Sequence, residues 1–332
     1  MKISRFIALA VMVFLCVDFS HSQRGKEGDV TISGNTTVNT FTYLTANASV
    51  GATSISVNNN TMVGGAFGLP LDAGDLIMIV QMQGATMDIN TWPVVGWGGN
   101  YTVPDDYLTG TFGANPHYWG QVTSYGEAGK FERVEVLSVS GTGTINLNCQ
   151  LTKNFISSGH VQVIRIPRYN NLTIPAGNSI TTTDWDGDNG GVVAIEVNGT
   201  LTIDGTITAT ANGFRGGVLD PLDSYTAGGA PTSIRVLGSF DHLEGSEKGE
   251  GIGGYHTEYD ALFSRWGIGA PANAGGGGGY QNSGGGGGCN AVVGGTYTSK
   301  GNPIGFSAVW DLEAAGFGGS TSAGGGRGGY AI

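Results

Sequence analysis

The chain has 332 residues and a formal charge of −11, an acidity that argues against nucleic acid and anionic membrane surfaces as partners. Charged residues make up only 12% of it while glycine fills 61 positions, which fits a turn-rich β protein and not a charged disordered tail.

In chain order, the first feature is an export signal over residues 1–22. Lys2 and Arg5 form a basic start, residues 6–17 form an apolar run too short to span a bilayer comfortably, and Ser20 and Ser22 place small residues before a cleavage point at Gln23. Cys16 is preceded by Leu15, where a lipoprotein signal needs a small residue. Cleavage removes two basic residues and one acid (Asp18), leaving 13 against 25 and a charge of −12. Nothing after Gln23 is long and apolar enough to cross a membrane as a helix. The expected location is therefore extracellular or on the outer cell surface.

Residues 23–168 read as an N-terminal β domain, a small barrel or sandwich. Runs at 54–57, 76–82, 132–137, 143–147 and 161–166 carry strand-forming residues. Val134 and Val136 alternate with Arg133 and Glu135, and Val161 and Val163 flank Gln162, the pattern of strands with one buried face. Asp72-Ala73-Gly74-Asp75 is a turn that feeds the apolar run after it. Between Gly84 and Gly126 lies a long insertion bearing Trp92, Trp97, Tyr101, Tyr107, Tyr118 and Trp119. Exposed Trp and Tyr stack on sugars and anchor interfaces, so this is the preferred contact surface; core packing within the insertion is the alternative reading.

Residues 169–217 contain a repeated phrase. Leu172-Thr173-Ile174 returns as Leu201-Thr202-Ile203 after 29 residues, each followed by a turn and a Thr-rich strand. Strands are also predicted at 192–197 and across 201–210. That spacing predicts parallel β-helix coils, each burying apolar strand faces against the next. Within it, Asp184, Asp186 and Asp188 alternate as carboxylates do in calcium loops, though glycine and glutamate do not fall where an EF-hand needs them. A structural turn and a calcium site both remain open there; no other cofactor is expected. Thr200, Thr202, Thr206, Thr208 and Thr210 present either a hydroxyl face or plain strand propensity.

Residues 218–332 form a glycine-rich region, with 29 glycines from Gly245 onward and pentaglycine tracts at 275–279 and 284–288. Aromatic residues interleave with the tracts, which predicts an ordered domain in place of a flexible tether. Tracts with no side chains can pack as bundles of extended three-fold helices, so Gly277 and Gly286 are expected to be structural. Cys149 and Cys289 are the two thiols of the mature chain and a candidate disulfide in an oxidising compartment. His256, Glu258 and Asp260 could share one strand face as metal ligands, or lie in a solvated loop. Asp105 and Asp106 are adjacent acids that would point opposite ways on a strand. No nucleophile elbow, phosphate loop or HExxH helix occurs.

Several of these segments together are distinctive: residues 75–85 (DLIMIVQMQGA), 125–132 (YGEAGKFE), 171–177 (NLTIPAG), Trp185, 190–195 (GGVVAI), 213–217 (GFRGG), 248–252 (KGEGI), 269–276 (GAPANAGG), 281–284 and 316–319. They resemble the N-terminal region of large exported adhesin-like, gliding-motility-associated surface proteins of Bacteroidota and glycine-rich surface proteins of myxobacteria. The pentaglycine tracts are also similar to the glycine-rich domain of the anaplastic lymphoma kinase ectodomain. The first resemblance implies cell-surface exposure with adhesion or matrix contact, and it carries no catalytic residues to transfer. The expectation is a non-enzymatic all-β protein that binds extracellular glycans, cells or matrix. The rival reading is a carbohydrate-active enzyme working in a β-helix groove.

Overall fold

A computed structural model describes residues 24–87, 122–218, 247–255, 271–277 and 288. Among them the structure is all-β, the one helical feature being a 3-10 turn at Ser157–Gly159. No helix of the described residues is long and apolar enough to cross a membrane.

The 29-residue repeat is a real ladder. Strand β12 (Leu172–Ile174) pairs in parallel with β15 (Leu201–Ile203), Leu172 opposite Leu201 and Ile174 opposite Ile203. Strand β13 (Ser179–Thr181) pairs in parallel with β16 (Thr206–Ile207), and β11 (Arg168–Tyr169) with β14 (Glu196–Val197). These are β-helix coils, as the repeat predicts.

The first coil comes from an unexpected place. Strands β1 (Val30–Thr31) and β2 (Asn35–Thr37) lie on the far side of β12 and β13, with Val30 opposite Leu172 and Thr36 opposite Ile180. The segment at residues 30–37 therefore belongs to the β-helix, although it lies within the stretch 23–168 read from sequence as the N-terminal β domain. Ile32, Val38, Tyr169, Leu172, Ile174 and Ile180 fill the interior of the coils. Leu172 is flanked by Val30 on one side and Leu201 on the other, the coil-on-coil stacking that stabilises solenoids.

Between the first coil and the second the chain builds a barrel-like sheet, in the order β3 (Thr40–Tyr43), β10 (Val161–Ile166), β5 (Leu76–Gln81), β8 (Phe131–Ser140), β9 (Thr144–Leu147), β4 (Ser54–Ser56). All five pairings are antiparallel. The sheet curls until its edges touch: Leu44 bridges Val57, and the Thr45 N–H donates to the Ser56 carbonyl at 3.0 Å. Ile77, Ile79, Val134, Val136, Ile145, Leu147, Phe155, Val161 and Val163 form the core inside it. The alternation in β8 holds, with Val134 and Val136 buried and Phe131 and Leu137 exposed.

Strand β10 departs from the expected one-sided burial: all six of its residues are buried. Its second face packs on the β-helix, where Gln162 trades two bonds with Gly190, accepting from its N–H at 3.1 Å and donating to its carbonyl at 3.2 Å. Gly190 has φ 105°, and a Cβ there would sit 2.2 Å from the Asp184 carbonyl oxygen, so only glycine fits.

Two predicted strands are shorter than expected. Residues 192–195 are not in a ladder; strand begins at Glu196. Buried Asn39 replaces the ladder there, accepting from the Ala194 N–H and donating to its carbonyl. Residues 208–210 turn out of the sheet, with the Thr210 N–H donating to Thr208 Oγ1. The threonines consequently divide between β15 and β16 and form no single row.

Candidate binding surface

Basic and acidic side chains that look scattered in sequence meet where the barrel joins the β-helix. Asp75 closes the predicted turn, accepting from the Asp72 N–H at 2.8 Å, and its carboxylate receives Arg165 at 2.6 Å and Lys26 at 2.5 Å. Arg165 also donates to the carbonyls of Met62 and Leu69 and stacks over Phe67, 4.0 Å from the ring centroid. Arg168 binds Glu196 through Nε and Glu135 through Nη1, linking the coil that carries it to the next coil and to barrel strand β8. Burial lowers the Arg165 pKa despite Asp75 beside it. The two carboxylates on Arg168 outweigh burial and raise its pKa. Every carboxylate in this set except one has a cation within salt-bridge distance.

The exception is Glu27. Its Oε2 accepts the Arg168 backbone N–H at 2.6 Å, and burial, aided by the nearby Asp75 charge, raises its pKa above the usual 4.5. A carboxyl whose pKa is raised in the fold is penalised once ionised. Its effect is absent well below pH 4.5 and becomes a destabilisation as pH rises through the folded pKa. Glu27→Gln should therefore give a higher Tm than the parent at pH 7, and the difference should vanish in melts run below pH 4.5. Glu27 lines a pocket of about 450 Å³ at the open end of the first coil, together with Val30, Ile32, Val38, Ala66 and Tyr169.

A second convergence involves the glycine-rich region. The Glu250 carboxylate, 1% exposed, accepts from Gln83 Nε2 at 2.8 Å, Trp185 Nε1 at 2.9 Å, Arg215 Nε at 2.8 Å and the Arg215 backbone N–H at 3.0 Å. One carboxylate thus ties together the barrel strand end, the acidic β-helix loop, the coil end and the glycine-rich segment. Trp185 packs edge-on against Phe214, and Arg215 stacks over Tyr255. Lys248 beside it is wholly buried, which pushes its ammonium pKa well down.

This hub seats the ends of the aromatic insertion. Strand β6 (Thr86–Met87) pairs antiparallel with β7 (Val122–Ser124), so residues 88–121 leave from and return to one hairpin base. Ala85, Ile252 and Ala272 pack with Met87, Val122 and Phe214 beneath that base, and the N–H groups of Gly84 and Ala85 both donate to the Ile252 carbonyl. Gly253 lets Met87 approach, since a Cβ there would lie 2.7 Å from Met87 Sδ. Sequence reasoning missed both Glu250 and Glu27; Glu250 falls in the distinctive 248–252 segment, but neither acid has a local pattern that points to its partners. Trp92, Trp97, Tyr101, Tyr107, Tyr118 and Trp119 themselves lie outside the described residues.

The remaining predicted sites resolve as follows. Asp184 accepts from Asn212, Asp186 accepts from the N–H groups of Asp188 and Asn189, and Asp188 meets His160 at 3.2 Å. The three carboxylates are not brought together. No group of three or more His, Cys, Asp or Glu side chains among the described residues converges as a metal site. Gly275, Gly276 and Gly277 are buried, and the Gly249 N–H donates to the Gly275 carbonyl at 2.9 Å, so this part of the first tract is packed. Gly286 and Cys289 lie outside the described residues, as does the 256–260 triad; Cys149 is an exposed free thiol.

No family model and no curated protein matches the chain. Among solved structures it is similar to the tailspike gp61 of Pseudomonas phage phi297, at 13% identity over 51% of this chain and 18% of that one, TM-score 0.22. It is similar to the Gp54 tailspike of Acinetobacter baumannii bacteriophage AP22, solved with an A. baumannii capsular saccharide, at 16% identity over 54% and 25%, TM-score 0.22. The tailspike gp49 of Pseudomonas phage LKA1 aligns at 14% identity over 49% and 28%, TM-score 0.19. The chain thus spans less than a third of the length of each of these proteins.

Proposed function

We propose that this chain is an exported surface module that binds extracellular glycan without cleaving it, presenting its aromatic insertion on a rigid barrel–β-helix support. The observation that carries the reading is the hairpin base of β6 and β7, clamped by the Glu250 hub beneath an insertion with three tryptophans and three tyrosines at Trp92–Trp119. Rigid presentation lowers the ordering cost of binding, and aromatic rings supply the contact area. The carboxylates of the two junctions support binding over hydrolysis. Asp75, Glu135, Glu196 and Glu250 are each held by arginine, and the pocket beside them has one carboxylate where glycoside hydrolysis uses two. Surface adhesion of the kind implied by the adhesin-like resemblance follows from such a module.

The test is a saccharide-binding titration of the mature chain and its Trp97→Ala and Trp119→Ala variants. At least one variant should lose about tenfold or more in affinity, the loss expected when an aromatic anchor is truncated, with Tm unchanged. Unchanged affinity in both would remove the insertion from the binding surface.

A further inference from the structure

The pocket at the open end of the first coil has a composition of its own. Its lining is aliphatic at Val30, Ile32, Val38 and Ala66, and polar at Glu27, Tyr169 and the hydroxyl residues Thr31, Ser33 and Thr36. Tyr169 is 2% exposed. Burial, with the Glu27 charge, pushes its pKa up to about 12, so it stays a neutral hydroxyl.

Of Glu27, Asp75, Glu135 and Glu196, Glu27 alone has no cation within salt-bridge distance among the described residues: Lys26 and Arg165 bind Asp75, and Arg168 binds Glu135 and Glu196. Arg24 lies at the edge, 63% exposed and 3.9 Å from Glu196. The cations make their contacts with Asp75, Glu135 and Glu196, which leaves Glu27, the carboxylate that lines the pocket, without a contacting cation. An uncompensated charge at a half-buried site attracts a cation far more than one in water does.

We infer that this pocket is a second ligand site, separate from the aromatic insertion, and that it takes a small molecule carrying a primary ammonium on a short aliphatic or sugar body. An ammonium has three donors: Glu27 takes one and the Tyr169 oxygen a second, while the rim hydroxyls of Thr31 and Ser33 accept the third. The body then covers Val30, Ile32 and Ala66. The volume suits a single small molecule and not a polymer.

Calorimetric titration with two matched pairs tests this: n-pentylamine against n-pentanol, and glucosamine against N-acetylglucosamine. At least one amine should bind saturably and its neutral partner about thirtyfold more weakly, as expected when a buried charge pair is lost. Which amine binds tells whether the body is aliphatic or sugar. Glu27→Gln should remove the preference for the amine, and Tyr169→Phe should weaken amine binding about threefold to tenfold. The Glu27→Gln melt at pH 7 shows that this variant is folded. The assignment is overturned if neither amine binds, if the neutral partners bind equally well, or if Glu27→Gln leaves amine binding unchanged. The aromatic-insertion variants should leave it unaffected, so failure here is separate from failure of the glycan reading.

Discussion

Replacing Glu250 with alanine should destabilise the protein by about 3–5 kcal/mol, the usual cost of removing one partner of a buried charged network. The substitution leaves the Trp185 indole N–H and the Gln83 amide without their acceptor, and it frees the Arg215 guanidinium from the carboxylate that aligns it. Each orphaned buried donor costs about 1–3 kcal/mol. Arg215 is one-third exposed and can turn to water, which keeps the total from rising further. Glu250→Gln keeps the shape and one acceptor oxygen, so its cost should be lower, about 1–2 kcal/mol. Denaturant unfolding of both variants reads the difference as a shift in midpoint at constant slope. Parent-like midpoints in both would mean that the hub does not hold the barrel, β-helix and glycine-rich segment together.

Asp75→Ala should be comparably severe, about 3–5 kcal/mol, because Arg165 is then left charged at 4% exposure with no anion in contact. The loss should change little with salt, since the pair lies away from solvent. Combining Asp75→Ala with Arg165→Met should recover much of it, as an apolar replacement of a buried pair is often neutral. A double-mutant cycle with coupling below about 0.5 kcal/mol would show that the two side chains act independently.

Much of the fold was legible where one local pattern decides it. The alternation of Val134 and Val136 and the return of Leu172-Thr173-Ile174 as Leu201-Thr202-Ile203 mark a half-buried strand and a coil repeat, and both are observed. What eluded the sequence were long-range partners. Val30-Thr31-Ile32 echoes the Leu-Thr-Ile phrase with valine for leucine, but 142 residues separate Val30 from Leu172 and the likeness falls outside the 29-residue step. Gln162 reads as a solvent-facing residue until the β-helix packs on it through Gly190. The same holds for the functional residues. The proposed contact surface rests on composition, the tryptophans and tyrosines between Gly84 and Gly126. Glu27 and Glu250 matter only through neighbours as far as 167 residues away in sequence. Asp184, Asp186 and Asp188, whose spacing suggests a structural turn or a calcium site, bond to Asn212, loop N–H groups and His160.

One measurement tests both halves of binding without cleavage. A panel of bacterial capsular and extracellular polysaccharides is passed over the immobilised mature chain, and the chain-length distribution of whatever is retained is measured after elution. At least one polysaccharide should be retained and elute at its original length after prolonged contact. Retention of none, or elution of shortened chains, would contradict it.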